Sequence, residues 1–109
     1  MITIDEFQKV DMRVGTIIDA SENQKAKKKA YKLTIDFGSE IGIKKSSAQI
    51  TDVYKVKDLI GKQIIAVINF PPIKIGDIKS EVLVLGADSE KGVILLSIDK
   101  KVANGKRVY

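Results

Sequence analysis

The sequence predicts an all-β protein, a five-stranded Greek-key barrel with two short helices. Three observations carry this prediction. Isoleucine (17) and valine (10) outnumber leucine (6) and alanine (7), and β-branched side chains favour strands. Residues 31–37 alternate apolar and polar side chains, which is typical of a strand with one wet face. Residues 64–68 are continuously apolar, which is typical of a strand buried on both faces.

The N-terminus predicts a short helix at residues 3–9. Thr3 and Glu6 have the spacing of a capping box, in which each side chain bonds the backbone N–H of the other residue. Ile4 and Phe7 lie on one face of this helix. Because so short a helix is unstable alone, its apolar face is expected to dock on another surface.

Three strands are expected next, at residues 13–20, 31–37 and 41–48. Gly15 is expected to mark a bend or bulge in the first of them, since glycine inside a strand often does so. The second and third strands flank a Gly-Ser turn and are expected to pair as a hairpin. The polar segment between the first two strands is interpreted as a loop rich in lysine.

The second half of the chain predicts a short helix or two tight turns at residues 52–60, then strands at 63–70, 81–85 and 93–97, with a connector at 73–79. One helix after the third strand of a small barrel is typical of the oligonucleotide/oligosaccharide-binding (OB) fold. An SH3-like barrel or a half-sandwich would give a similar number of strands. The length of 109 residues fits one domain, residues 1–109.

The composition excludes several kinds of chemistry. Without cysteine or histidine the chain has no disulfide, no thiol nucleophile, no imidazole acid or base and no zinc site of the usual kind. Its acidic pairs resemble helix caps and turns, and it has no glycine-rich phosphate loop. We therefore expect no catalytic residues, no metal and no cofactor. With no long apolar segment and no signal peptide, we expect a cytoplasmic protein that does not insert into membranes.

The basic charge is concentrated in the middle of the chain. The net charge of +5 divides into −3 over residues 1–22, +6 over residues 23–62 and +2 over residues 63–109. In an OB barrel the segment 23–62 contains the loop and strands that commonly bind nucleic acid. Because 17 of the 19 basic residues are lysines, any such binding should hold the phosphate backbone and not read bases. A solvated lysine loop is the alternative interpretation.

Two further segments are candidates for binding. Residues 44–49 place two lysines and two serines on one strand, where they could position phosphates. The alternative is that the lysines only prevent an exposed strand edge from pairing with another chain. Residues 69–72 (Asn-Phe-Pro-Pro) end the buried strand where a barrel surface opens. The alternative is that Phe70 belongs to the core and the two prolines only end the strand.

Three collinear segments carry a resemblance to a known family. Residues 11–17, 69–76 and 79–86 resemble the tRNA-binding domain family, which includes the C-terminal domain of many methionyl-tRNA synthetases and the endothelial-monocyte-activating polypeptide domain. Residues 37–51 and 69–72 are most similar to the CsaA branch, the protein-secretion chaperone-like proteins. The similarity extends from Asp5 to about Arg107 and therefore covers nearly the whole chain.

The resemblance implies an OB fold, a homodimer formed through the terminal extensions, and binding of unfolded preproteins during export. The parent family also leaves tRNA binding open. In tRNA-binding members a Gly-Met pair typically follows the Ser-Glu step, whereas Val82 and Leu83 stand there in this chain. Glycine permits close approach of a backbone, so this departure weighs against the tRNA mode, while the lysine loop favours it.

Two sets of binding residues follow from this resemblance. The residues expected to bind peptide are Asn69, Phe70, Ile73, Lys74, Ser80, Glu81 and Leu83. The residues expected to bind nucleic acid are Lys27, Lys28, Lys29, Lys44, Lys45, Ser47, Lys74, Lys79 and Ser80.

The two ends of the chain predict a dimer interface. The capped helix and the apolar C-terminal tail are expected to flank the barrel, and a twofold axis would let two copies bury them mutually. The alternative is that both ends pack on their own barrel. The residues expected in the interface are Ile4, Phe7, Val102, Val108 and Tyr109.

Overall fold

The eleven-residue strand β1 (Met12–Glu22) is the centre of the fold, because its first half pairs with β4 and its second half with β2. The structure is a computed structural model that describes all 109 residues. Its elements are α1 (Ile4–Gln8), β1 (Met12–Glu22), β2 (Tyr31–Asp36), β3 (Ile43–Ala48), α2 (Val56–Leu59), β4 (Gln63–Val67), β5 (Ile73–Ile75), β6 (Ile78–Ser80), β7 (Leu83–Val84), β8 (Gly86–Ala87), β9 (Ile94–Leu95) and β10 (Arg107–Val108).

Five antiparallel strands form a nearly closed barrel in the order β3-β2-β1-β4-β7. The seam between β3 and β7 is completed by hydrogen bonds outside the regular ladders. The N–H of Glu81 donates to the carbonyl of Lys45 at 2.7 Å, and the hydroxyl of Ser46 donates to the carbonyl of Val82 at 2.9 Å. The predicted all-β, five-stranded barrel with two short helices is therefore confirmed.

One core fills the barrel. Twelve buried residues contact one another, and Ile17, Ile35 and Phe37 are almost completely inaccessible among them. Leu59 of α2 is equally buried, so this single helical turn contributes a side chain to the same core. The residues of β4 from 64 to 67 are buried on both faces, as their continuous apolar run predicts.

Several boundaries differ from the sequence prediction. The predicted connector at 73–79 is instead the hairpin β5–β6, and the strand predicted at 63–70 ends at Val67. The strands predicted at 81–85 and 93–97 shorten to β7 and β9, and β9 pairs only with β8. Tertiary hydrogen bonds, not local apolar pattern, decide where each of these short strands stops.

Gly15 is not the bulge. The register between β1 and β2 shifts between Ile17 and Asp19, which places the irregularity later in the strand. Glycine is needed at position 15 for space, because a Cβ there would lie 2.7 Å from a methyl carbon of Ile35 and from the ring of Phe37.

The C-terminal tail belongs to the barrel sheet, contrary to the expectation that it only flanks the barrel. In β10, Val108 pairs with Met12 and Arg107 with Arg13 of β1. Val102 is also hydrogen-bonded to the barrel. The side-chain amide of Gln63 donates to the carbonyl of Val102 at 2.7 Å, and the side-chain oxygen of Gln63 accepts from its N–H at 3.2 Å. The backbone at Val102, Arg107 and Val108 therefore packs on its own barrel, which was the alternative interpretation of the sequence.

Candidate ligand-binding surface

The hairpin β5–β6 is amphipathic. Its register pairs Ile73 with Ser80, Lys74 with Lys79 and Ile75 with Ile78, and paired residues share a face. One face therefore carries the isoleucines and the other carries the two lysines. Gly76 begins the two-residue turn with a φ of +65°, a conformation that suits glycine.

An apolar groove of about 390 Å³ lies between this hairpin and the segment that follows β4. Three large side chains on its walls are unusually exposed: Phe70 at 52%, Ile73 at 60% and Leu83 at 51%. Phe70 is thus a surface residue, not a core residue as one interpretation of the sequence held. The groove is lined by Ser47, Phe70, Pro71, Ile73, Ile75, Ser80, Glu81, Val82 and Leu83.

Asn69 positions one wall of the groove by anchoring the chain just before Phe70. Its side-chain oxygen accepts from the N–H of Asp11 at 3.0 Å, and its amide donates to the carbonyl of Lys9 at 2.7 Å. The side chain of Asn69 is therefore engaged by the link between α1 and β1. Within the chain it acts as a support for the groove.

Ser80 and Glu81, both expected to bind peptide, also form part of the barrel seam. The hydroxyl of Ser80 accepts from the N–H of Ser47 at 3.0 Å, and a carboxylate oxygen of Glu81 accepts from the N–H of Lys45 at 3.0 Å. These side chains satisfy backbone donors on the outer edge of β3. Both also border the apolar groove, so they shape its floor.

A second groove, of about 620 Å³, is lined by lysines and adjoins the apolar one. Ser47 and Ile75 contribute to both grooves, which makes the two parts of one continuous surface. The lysine-lined groove is formed by Lys25, Ala26, Lys27, Lys28, Ala30, Ser47, Gln49, Lys74, Ile75 and Gly76.

Of the lysines expected to bind nucleic acid, three lie together in this groove: Lys27, Lys28 and Lys74. Lys29 instead borders a neighbouring groove of about 360 Å³, which shares Lys27 with the lysine-lined groove, and Lys79 lies on the outer face of the hairpin. The other predicted lysines, at positions 44 and 45, do not line the groove. The structure thus brings together part of the predicted set.

Asn23 is the main residue that the sequence reasoning missed. It is 3% exposed, and its amide donates to the hydroxyl of Ser47 at 3.2 Å and to the carbonyl of Ile75 at 3.0 Å. It therefore ties β3 to the hairpin beneath the junction of the two grooves. A Cβ on Gly76 would lie 2.5 Å from its Oδ1, so glycine is required there for space as well.

The sequence of the hairpin β5–β6 does contain a pattern that predicts its structure. Alternating Ile-Lys-Ile and Ile-Lys-Ser segments flank a Gly-Asp pair at residues 73–80, which is a hairpin pattern. No local signal identifies Asn23, because its partners lie 24 and 52 residues away.

An ion pair holds the tip of the hairpin from a second side. The ammonium of Lys32 on β2 donates to a carboxylate oxygen of Asp77 at 3.3 Å. This hydrogen bond lowers the pKa of Asp77 below its ordinary value of 3.8. Since both side chains are substantially exposed, solvent and salt screen the pair.

Both arginines are engaged within the chain. Arg13 pairs with Asp11 at 2.6 Å and donates to the carbonyl of Gly105 at 3.0 Å, and the hydrogen bond with Asp11 raises the pKa of Arg13. Arg107 donates to the carbonyl of Gln8 at 2.8 Å. The cations that line the two adjoining grooves are all lysines.

The chain termini form a separate apolar surface. Helix α1 has no buried residue, and its capping box between Thr3 and Glu6 is present as predicted. Ile4 is 67% exposed and Tyr109 is 97% exposed. Tyr109 also lines a groove of about 560 Å³, together with Phe7, Gln8, Val10, Arg107 and Val108.

The structure contains no group of three or more acidic side chains that could hold a metal ion. None of its helices has the length and apolar character needed to cross a membrane.

Comparison with known proteins identifies relatives over the whole chain. The family model described as "Putative tRNA binding domain" matches residues 12–107. The methionine--tRNA ligase of Methanococcus vannielii is 36% identical over 109 residues, and that of Methanocella arvoryzae is 38% identical over 107. The chain spans only 16% and 15% of the length of these ligases.

Solved structures of similar size match as well. The CsaA chaperone protein of Picrophilus torridus is 52% identical, with a TM-score of 0.95 and full coverage of both chains. The chaperone CsaA of Bacillus anthracis strain Ames is 45% identical, with a TM-score of 0.93, covering 100% of this chain and 99% of that one. A MetRS related protein of Pyrococcus horikoshii is 32% identical, with a TM-score of 0.87, covering 100% and 98%.

Proposed function

Because this chain belongs to the tRNA-binding domain family, and because its shape is shared with CsaA chaperones, we propose that it is a non-catalytic binding protein that holds unfolded polypeptides. One observation carries the proposal. An apolar groove with three half-exposed large side chains adjoins a lysine-lined groove on one surface. Apolar patches of this kind on a small protein mark interaction sites.

The groove suits an extended polypeptide. Its apolar walls at Phe70, Ile73 and Leu83 can take up large side chains, while the polar floor at Ser80 and Glu81 is already hydrogen-bonded within the chain. A ligand therefore gains apolar contacts without leaving these polar groups unpaired. Lys74 at the edge can pair with an acidic group.

The test measures suppression of aggregation and binding of labelled peptides. The variants Phe70→Ala and Leu83→Ala should fold normally, because both side chains are half exposed, and should weaken peptide binding by about tenfold each. Ile43→Ala removes a side chain that is 59% exposed outside the groove and serves as the matched control. Wild-type protein that binds no extended peptide would contradict the proposal.

The role in export is the finer part of the proposal. We propose that the clients are unfolded preproteins in the cytoplasm, which the resemblance to the CsaA branch supports. The test compares binding to an unfolded secretory precursor with binding to the same unfolded chain lacking its signal sequence. Equal affinity for the two would contradict a preference for preproteins.

Binding of tRNA is the second candidate function, favoured by the family match and by the three lysines gathered in one groove. Lysine–phosphate contacts make affinity fall steeply with salt, whereas apolar peptide binding should barely change. Replacing Lys27 and Lys28 by glutamine should weaken tRNA binding and reduce the salt slope by about 0.7 to 0.9 for each phosphate that is no longer neutralised. Lys101→Gln, outside both grooves, is the control. Absence of tRNA binding by the wild type at low salt would exclude this function.

A homodimer through the chain termini is part of the same proposal. The apolar surface of Ile4, Phe7, Val108 and Tyr109, together with Val102, supports an interface in which two copies cover one another. Light scattering should give twice the chain mass of 12.0 kDa. The double variant Ile4→Asp, Tyr109→Asp should give a folded monomer, and Ile43→Asp should not. A wild-type monomer at micromolar concentration would contradict the dimer.

A further inference from the structure

We propose that the polypeptide binds as an additional β-strand along the open edge of β5, and that its preferred sequence alternates apolar and acidic residues. This inference rests on the proposed peptide-binding function and specifies its ligand.

Strand β5 pairs with β6 on one side only, so its other side, called the open edge here, has no strand partner. Ile75 and Ile78 enclose the two-residue turn and form the hydrogen-bonded pair that closes it. Since such pairs alternate along an antiparallel ladder, Lys74 and Lys79 form the non-hydrogen-bonded pair. The backbone N–H and C=O of Lys74 therefore point away from β6, toward the open edge.

The opposite side of the hairpin is occupied. Strand β6 lies along β3, where the hydroxyl of Ser80 accepts from the N–H of Ser47 and the chain continues into the barrel seam at Glu81. An added strand can therefore pair with the hairpin only through β5. Unpaired strand edges of this kind are templates for extended peptides.

The two faces of the hairpin set the sequence preference. Side chains of an added strand would alternate between these faces, as they do along any strand. On one face Ile73 and Ile75 border the apolar groove, and on the other lie Lys74 and Lys79. Apolar residues of the ligand would thus enter the groove, and the residues between them would lie on the lysine face, with Lys74 as their cross-strand neighbour.

Charge complementarity makes those intervening residues acidic. The only two ion pairs in the structure are Arg13 with Asp11 and Lys32 with Asp77. Lys74 and Lys79 therefore have no acidic partner of their own. Cross-strand pairs of opposite charge stabilise a sheet, and like charges directly opposite destabilise it.

The edge also limits the hydrogen bonds that a ligand can make. Pro71 and Pro72 precede β5 and have no N–H to donate. Within β5, the backbone groups offered at this edge are therefore the N–H and the C=O of Lys74. A ligand residue opposite Lys74 in antiparallel pairing would exchange both hydrogen bonds with it and would share its face, so that residue would be acidic.

The experiment uses a labelled nine-residue peptide that alternates leucine and glutamate, with binding measured by fluorescence anisotropy. Backbone N-methylation at the glutamates should weaken binding by about tenfold, since it removes the N–H that faces β5. N-methylation at the same number of leucines is the matched control and should have little effect. If only N-methylation at the leucines weakened binding, the antiparallel register would be wrong and the added strand would run parallel to β5. If N-methylation weakened binding equally at the glutamates and at the leucines, or at neither, the proposal would be overturned.

A second arm tests the alternation and the charge. A peptide of the same composition with leucines and glutamates in two blocks should bind about tenfold more weakly, and so should a Leu-Lys alternating peptide. The variant Lys74→Glu should reverse the preference between the Leu-Glu and Leu-Lys peptides, and Lys101→Glu should not. If no peptide binds, the proposed function fails. If peptides bind without regard to N-methylation or alternation, only the added-strand inference fails.

Discussion

The side-chain amide of Asn23 donates a hydrogen bond to the backbone carbonyl of Ile75, 3.0 Å away, across 52 residues of sequence. The same amide donates to the hydroxyl of Ser47. One buried side chain therefore joins the barrel to the hairpin that borders both grooves. These two hydrogen bonds therefore help to place the hairpin beside β3.

Replacing Asn23 by alanine should lower the free energy of unfolding by about 1–2 kcal/mol, since two hydrogen bonds are removed from a buried position. Hydrogen exchange should accelerate in β5 and β6, while β1 and β4 stay protected. Urea denaturation and exchange measured by NMR provide the test. Gln24→Ala, at an exposed neighbour, is the control. Unchanged exchange in the hairpin would show that Asn23 does not hold it.

The barrel seam predicts a difference between two variants of Glu81. Glu81→Ala leaves the N–H of Lys45 without its side-chain acceptor and should destabilise the protein by about 1 kcal/mol. Glu81→Gln keeps an amide oxygen in place and should cost less than half as much. Thermal unfolding of both variants measures the difference. Equal losses of stability would mean that the carboxylate charge, not the hydrogen bond, stabilises the seam.

Gly15→Ala should destabilise the barrel by about 1–3 kcal/mol, because its Cβ would lie 2.7 Å from Ile35 and from the ring of Phe37. The test is a double-mutant cycle measured by denaturant unfolding. The combination Gly15→Ala with Phe37→Leu should be less destabilising than the sum of the two single changes, since the smaller side chain relieves the crowding. Strict additivity would contradict steric crowding as the cause.

Acid should loosen the tip of the hairpin. The pKa of Asp77 is lowered in the folded protein, so the pair with Lys32 contributes its stability above the ordinary pKa of 3.8. That contribution is lost as the pH falls below this value through the folded-state pKa. The difference in stability between wild type and Asp77→Asn should therefore shrink on acidification and in high salt. A difference for Asp77→Asn that stays constant on acidification would refute the assignment.

The core strands were predictable because their pattern is local. Alternation at Leu33, Ile35 and Phe37 indicates the dry face of β2 and of the residue that follows it, and all three side chains are buried. The capping box of α1 is equally local, since Thr3 and Glu6 lie within one helical turn. Local periodicity reports which face of a segment is dry.

The candidate site was only partly predictable. Phe70, Ile73 and Leu83 were expected on the binding surface and line the apolar groove. Asn69 and Glu81 were expected beside them, and their side chains also bond backbone groups 58 and 36 residues away. The spacing of residues along the chain does not reveal such partners.

The sequence by itself determined that this chain forms a β-barrel, that its chemistry excludes thiols and imidazoles, and that its excess charge is lysine in the middle segment. These properties depend on composition and on neighbours a few residues apart. Only the tertiary structure decided that the segment 73–80 is a hairpin with an open edge and that Asn23 holds it against β3. The physical reason is that buried backbone groups must find hydrogen-bond partners, and in a barrel those partners come from segments far apart in sequence.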